Sequence, residues 1–257
     1  QRQMCIRDRL TPVEADYWEL EVEKIPEYEY GYHKGWDMIL DALTWPVLIM
    51  MIICIGIAPI FSGEYQSKCD SLILCMKYGK SKLISAKIIT VWLFTTCVYW
   101  GITLIYSAVY LGLLGSDGAD LPIQLKYPAV SVGYHLTMGE AVIYALVLAY
   151  FFTLGIVGIT LLMSALLKNT YGVIIIAFLL IIIPTFLSPD TGGYTWSRIL
   201  SLFPSKIADF SFQSYTAYSI GNVVIRWPDM AMIVNGAGAV IFSAISYWIF
   251  RKHQVNK

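Results

Sequence analysis

Three histidines, five cysteines and a few isolated carboxylates are the side chains in this 257-residue chain that can bind metal, exchange disulfides or relay protons. Their spacing supports none of these roles. His33, His135 and His253 fall in separate segments with no carboxylate at ligand spacing, and H-E-x-x-H is absent. Cys5, Cys54, Cys69, Cys75 and Cys97 are scattered, and Cys69 and Cys75 are six apart, off the C-x-x-C pattern, so a structural role is favoured over a redox one. Asp41 and Glu140 stand at the ends of apolar runs rather than at mid-depth and read as boundary residues, not as buried proton carriers. A phosphate-binding G-x-x-x-x-G-K-[ST] loop and the E-E-x-x-x-R signature of paired-glutamate intramembrane proteases are both missing. The expectation is no catalytic residue, no metal site and no cofactor held by this chain. A net charge of zero gives no basic field for nucleic acid.

What the sequence does contain is length in apolar runs. Hydrophobic residues make up 57% of the chain and charged ones 14%, against roughly 25% charged in soluble domains, which predicts a polytopic membrane protein. The fold class expected is all-α, with five visible transmembrane helices at about 43–61, 88–114, 141–167, 171–188 and 230–250. Pro46 and Pro59 interrupt the first run, and neighbouring helices must satisfy the backbone groups they free. The third and fourth runs are separated by only Lys168, Asn169 and Thr170, a tight helical hairpin.

Charge in the connections sets the expected orientation. Lys68, Lys77, Lys80, Lys82 and Lys87 lie between the first and second runs, Lys168 between the third and fourth, and Arg251, Lys252 and Lys257 in the tail. The positive-inside rule makes these segments cytoplasmic. The loop from Asp117 to Thr137 holds only Lys126, and residues 11–37 carry eight acidic side chains against two lysines, so both are expected outside. The tryptophans and tyrosines of that acidic segment, 10–38 overall, are read as settling at the headgroup boundary of a solvated stretch. The nine residues QRQMCIRDR resemble translated sequencing-adapter sequence. They are read as a non-native start, with a sixth span expected upstream in the full-length protein.

Between the first two runs, residues 62–78 read as an amphipathic surface helix. Tyr65, Cys69, Leu72, Ile73 and Met76 share one face, with Lys68, Asp70, Ser71 and Lys77 elsewhere. A break is expected at Gly79, after which Ser81 caps a helix that runs through Lys87 into the second span. The loop 189–229 is rich in aromatics and predicts short helices over 197–202 and 206–212. Trp196, Phe203, Phe210 and Phe212 are candidates for an outer lid or for interfacial anchoring. Small residues on one face of the last run, Asn235, Ala239 and Ser243, and Gly155 and Gly158 in the third, permit close helix packing.

Phe61, Glu64 and Tyr65 closing an apolar run, then Leu72 to Met76, then Gly79 to Lys87 leading into a span, resemble the membrane subunit of an ABC exporter of the type-2 permease family. LFPSKIADF before the last span and the FRKHQ ending are similar to small Gram-positive members. The likeness covers residue 11 onward, and it makes the chain an N-terminally truncated member, since the first span and most of the first external domain of the family are not in this sequence. The resemblance implies a coupling helix docking into a separate cytoplasmic ABC ATPase, with Glu64, Tyr65, Lys68, Leu72, Met76 and Lys77 as its residues. It also implies a second permease subunit, identical or not, ATP and magnesium bound by the partner ATPase, and a place in the bacterial cell membrane with the C-terminus in the cytoplasm. Spans without charge at mid-depth fit a hydrophobic or amphipathic cargo such as a peptide, drug or lipid. A secondary transporter and a non-transport membrane scaffold are the alternative readings.

Overall fold

A computed structural model describes residues 12–23, 30–69, 81–127, 133–187, 193–213, 216–220 and 223–252. The predicted non-native start and most of the surface-helix segment, residues 70–80 with Leu72, Met76, Lys77 and the Gly79 break, lie outside the described residues.

The chain is mostly helical. In order come α1 (Pro12–Glu23), α2 (Lys34–Asp41), α3 (Trp45–Ile57), α4 (Pro59–Gln66), α5 (Lys82–Leu114), α6 (Met138–Leu166), α7 (Thr170–Phe186), α8 (Gly193–Ser201) and α9 (Trp227–Lys252). Among the described residues, four helices are long and apolar enough to cross a membrane: α3 with α4 as one span of 22 residues, then α5, α6 and α9. The fifth predicted run is α7, 17 residues, about 25 Å at 1.5 Å per residue and so shorter than a ~30 Å hydrocarbon core. One departure from an all-α fold is a two-stranded antiparallel ribbon, β1 (Ala217–Ile220) with β2 (Val223–Arg226), in which Ala217 faces Arg226. The two-residue turn sequence Gly221-Asn222, followed by the β-branched run Val223, Val224 and Ile225, carries that signal in the sequence.

Helix α5 runs antiparallel to the first span and to α6, with Lys87 against Ile60 and Tyr99 against Leu146, whereas α9 and the first span run parallel to α6, with Gly155 against Asn235, Gly158 against Ala239 and Cys54 against Thr160. The bundle so formed has a hairpin end, where the ribbon, α1, α2 and α8 gather, and a Glu64 end. Helix α6 is buried along most of its length and is the post around which the others pack; α5 is buried along little of its own.

The start of α6 follows local rules. Thr137 accepts from the Glu140 amide at 3.2 Å while the Glu140 carboxylate accepts from the Thr137 amide at 3.0 Å, a reciprocal cap that explains the boundary role expected of Glu140. The α6–α9 seam follows from small residues. A Cβ on Gly158 would stand 2.9 Å from the Ala239 Cα, and one on Gly155 would stand 2.2 Å from Asn235 Oδ1. The two small faces read from the sequence are therefore pressed against each other.

Candidate functional site

Pro59 cannot donate an amide hydrogen bond, so the first span is open where α3 gives way to α4. Ser164, near the end of α6, closes the gap. Its hydroxyl donates to the Ala58 carbonyl at 2.7 Å and accepts from the amides of Phe61 and Ser62, each at 3.1 Å. Ser62 in turn bonds the Thr170 hydroxyl at the first residue of α7, 3.0 Å away. The break expected at Pro59 is thus satisfied by neighbouring helices, with residues more than a hundred positions distant.

Just beyond, Glu64 of α4 forms an ion pair with Lys87, six residues into α5. Both side chains are mostly buried, and Lys87 Nζ also donates to the Ile60 carbonyl at 2.6 Å. The ammonium lies 5.2 Å from the Phe61 ring centre and 5.8 Å from that of Phe250, close to the end of α9. Phe250 stacks on Phe61 at 4.7 Å and on Tyr65 at 5.6 Å, and the Tyr65 hydroxyl donates to the Ala165 carbonyl at 3.2 Å. A charge pair held against three aromatic rings, where α4, α5, α6 and α9 meet, ties the end of the first span to the start of the second. One Glu64 oxygen, Oε2, is buried and has no hydrogen-bond partner.

The predicted surface helix does not continue from here. Helix α4 ends at Gln66, Lys68 adopts a left-handed backbone with φ of 56°, and the amides of Lys68 and Cys69 reach back to the carbonyls of Tyr65 and Glu64 at 3.2 and 3.0 Å. That pattern is a Schellman stop, usually built on glycine. Residues 62–66 are therefore the last turn of the first span, and the expected single helix over 62–78 is interrupted at residues 67–69. Ser81 does precede α5, as expected, but its side chain makes no capping bond. Of the residues assigned to coupling, Glu64 and Tyr65 join the buried cluster and Lys68 forms the stop. The sequence shows Lys87 only as a base on the helix leading into the second span and Phe250 only as part of the FRKHQ ending, with no sign that the two meet, and nothing local distinguishes Ser164.

The hairpin end is a second polar assembly. Glu14 of α1, expected in a solvated segment, is fully buried and accepts from Arg198 of α8 at 2.5 Å. Trp18, also buried, packs on Tyr134, 5.8 Å between ring centres. Tyr134 continues into Phe212, Phe210 and Trp227 at 5.3, 4.8 and 5.4 Å. Two of the lid candidates, Phe210 and Phe212, are thereby core residues of the hairpin end. The other two face outward: exposed Trp196 and half-buried Phe203 line an apolar groove of about 240 Å³ against α7. The short helices appear at Gly193–Ser201 and, as a 3₁₀ turn, at Pro204–Asp209, displaced by up to four residues from their predicted starts.

Arg226 donates to Asp229 at 2.9 Å, and Asp229 accepts from Tyr144 at 2.7 Å. Burial pushes the Tyr134 phenol up, the Arg226 guanidinium opposes this and Asp229 adds to it. A polar cavity of about 480 Å³ opens beside Asp37, Asp41, Lys126 and Ser211. Lys126 is paired with Asp37 and bonds Asp41 at 2.6 Å. Among the described residues no group of three His, Cys, Asp or Glu gathers at metal-binding distances.

Charges confined to helix ends, four helices of membrane-crossing length and polar caps at both ends define the class: a multi-pass helical membrane protein. Within that class the chain belongs to the family described as "Protein of unknown function (DUF2705)", whose model matches residues 25–255. No curated protein and no solved structure matches it.

Proposed function

We propose that this chain is the permease subunit of an ATP-driven ABC exporter, energised by a separate cytoplasmic ATPase and working beside a second permease subunit. It moves a hydrophobic or amphipathic cargo such as a peptide, drug or lipid. The ATP and magnesium sit in the partner, and this chain itself catalyses nothing. In this reading α7 is a fifth, short span, the Glu64 end faces the cytoplasm, and the hairpin end lies outside a bacterial cell membrane.

The observation that carries the reading is the Glu64–Lys87 pair. The segment between the first two spans leaves α4 at a fixed stop and enters α5 one turn before Lys87, so both of its ends are fastened to one buried cluster. A force applied to that segment by a docked ATPase moves the first two spans together instead of bending a loose loop. The absence of charge at mid-depth in the described helices favours cargo that needs no buried counter-ion.

The test is co-purification followed by activity. The full-length chain, extracted in mild detergent with the products of its neighbouring genes, is expected to retain an ATPase with a phosphate-binding loop. Glu64→Lys is expected to lower ATP turnover by the complex at least several-fold. An ATPase that never accompanies the chain, together with export indifferent to Glu64→Lys, overturns the proposal.

A further inference from the structure

Serine and threonine hydroxyls inside membrane helices ordinarily bond the carbonyl four residues back. Those of Thr96, Thr153, Thr160, Thr185, Ser243 and Ser246 do so here, at 2.7–3.2 Å. Apart from Ser85 and Thr96, helix α5 breaks this habit. Thr95 and Thr103 are fully buried with no hydrogen-bond partner, and the hydroxyls of Tyr106 and Ser107 are in the same condition. The Thr103 hydroxyl lies near those of Tyr99 and Tyr106 but outside hydrogen-bond geometry. Four of the unsatisfied buried polar atoms among the described residues thus fall within thirteen positions of one helix.

Their spacing places them together. Positions 95, 99, 103 and 106 recur at three and four residues and form one face, with Ser107 at its edge. Across it stands α6: Tyr99 donates to the Leu146 carbonyl at 2.7 Å, and the Tyr150 hydroxyl meets that of Thr96 at 2.8 Å. The opposite face carries Leu93 and Leu104, both exposed and apolar, as lipid contact requires. An unsatisfied hydroxyl in a low-dielectric interior is destabilising, and valine in place of threonine would avoid that cost. A row of them on the least buried of the four long helices reads as a polar surface shut against α6, not as core.

We propose that this α5 face, with Tyr150 opposite, lines the cargo path in its closed state. It accepts uncharged, hydrogen-bonding portions of an amphipathic molecule, such as peptide amides or sugar-like hydroxyls. The proposal rests on the transport reading but not on the energy source. When α5 moves away from α6, the hydroxyls gain partners from cargo or water.

The test uses the full-length chain in native membranes, in a background in which Cys5, Cys54, Cys69, Cys75 and Cys97 are all replaced by serine. Single cysteines at Thr95, Thr103 and Ser107 are compared with one at lipid-facing Leu104, using a permanently charged, water-soluble methanethiosulfonate. Labelling at the three seam positions at least ten times faster than at Leu104 is expected; equal, slow labelling at all four overturns the proposal. A second variant separates path from packing. Thr103→Val is expected to leave thermal stability in detergent unchanged or raised while export falls at least several-fold, whereas a purely structural hydroxyl would leave export intact. Because labelling needs no ATPase, a wetted seam without an associated ATPase sinks the ABC assignment and keeps this one.

Discussion

Glu64 and Lys87 are 23 positions apart in the chain and directly paired in space, the glutamate closing the first span and the lysine opening the second. The pair sits among Phe61, Tyr65 and Phe250 and has a backbone carbonyl as its third member. Removing one charge leaves the other in an apolar cluster. Glu64→Gln or Lys87→Met is therefore expected to destabilise the bundle by about 2–4 kcal/mol, at or below the range for fully buried pairs because each side chain still reaches solvent. The exchange Glu64→Lys with Lys87→Glu should recover at least half of that loss. Thermal unfolding in detergent measures all three, and a double variant no better than the worse single one would refute the pairing.

Lys68 occupies a left-handed position that glycine adopts without strain. Lys68→Gly is expected to raise stability by about 0.5–1 kcal/mol by relieving that strain, read as an upward shift in the midpoint of unfolding. A continuous helix through residue 68 predicts the opposite sign, since glycine is unfavourable inside a helix by about 1 kcal/mol.

Arg198 and Glu14 join helices 184 positions apart, and the glutamate is fully buried. Arg198→Met takes the guanidinium away from a buried carboxylate and should loosen α1, exposing residues 12–23 to protease several times faster than in the parent. Adding Glu14→Gln removes the buried charge and should restore much of the protection. Equal cleavage in all three proteins would mean that α1 is not held by this pair.

At the hairpin end, burial acts to raise the Asp37 carboxyl and to lower the Lys126 ammonium, but their pairing outweighs it in both. Asp37 titrates below 3.8 and Lys126 above 10.5. The Asp37 contribution is complete above its unfolded value and is lost as pH falls through the lower folded one. That of Lys126 is complete below its unfolded value and is lost as pH rises through the higher folded one. The stability difference between the parent and the variant carrying Asp37→Asn and Lys126→Met is expected to be level from about pH 5 to 9 and to shrink on either side. A difference that does not vary between pH 2.5 and 12 would exclude this linkage.

The α6–α9 seam tolerates no added volume. Gly155→Ala drives a methyl into Asn235, whose amide donates to the carbonyls of Leu202 and Ala231 at 3.2 and 2.9 Å, while Gly158→Val meets backbone. Gly158→Val is expected to be the more damaging, costing about 3 kcal/mol against about 1–2 for Gly155→Ala, because a side chain can rotate away and a backbone cannot. Folded yield and unfolding midpoint rank the two.

The sequence by itself determined what depends on near neighbours. Apolar length located the four membrane-crossing helices and α7, the Thr137–Glu140 spacing wrote the start of α6, and small residues three and four apart marked the faces of α6 and α9 that touch. Helical period and run length are local quantities, so residues such as Gly158 and Ala239 betray their role before any partner is known. Tertiary structure alone decided which charges leave water. Glu14 and Glu64 look in the sequence like solvated acids, and Lys87 like one more loop base, yet each is buried because a cation or carboxylate from a distant helix meets it there. It also decided that the helix stops at Lys68, where no glycine warns of it. There, backbone bonds and the fastening of Tyr65 and Glu64 to other helices outweigh the propensity of a single residue.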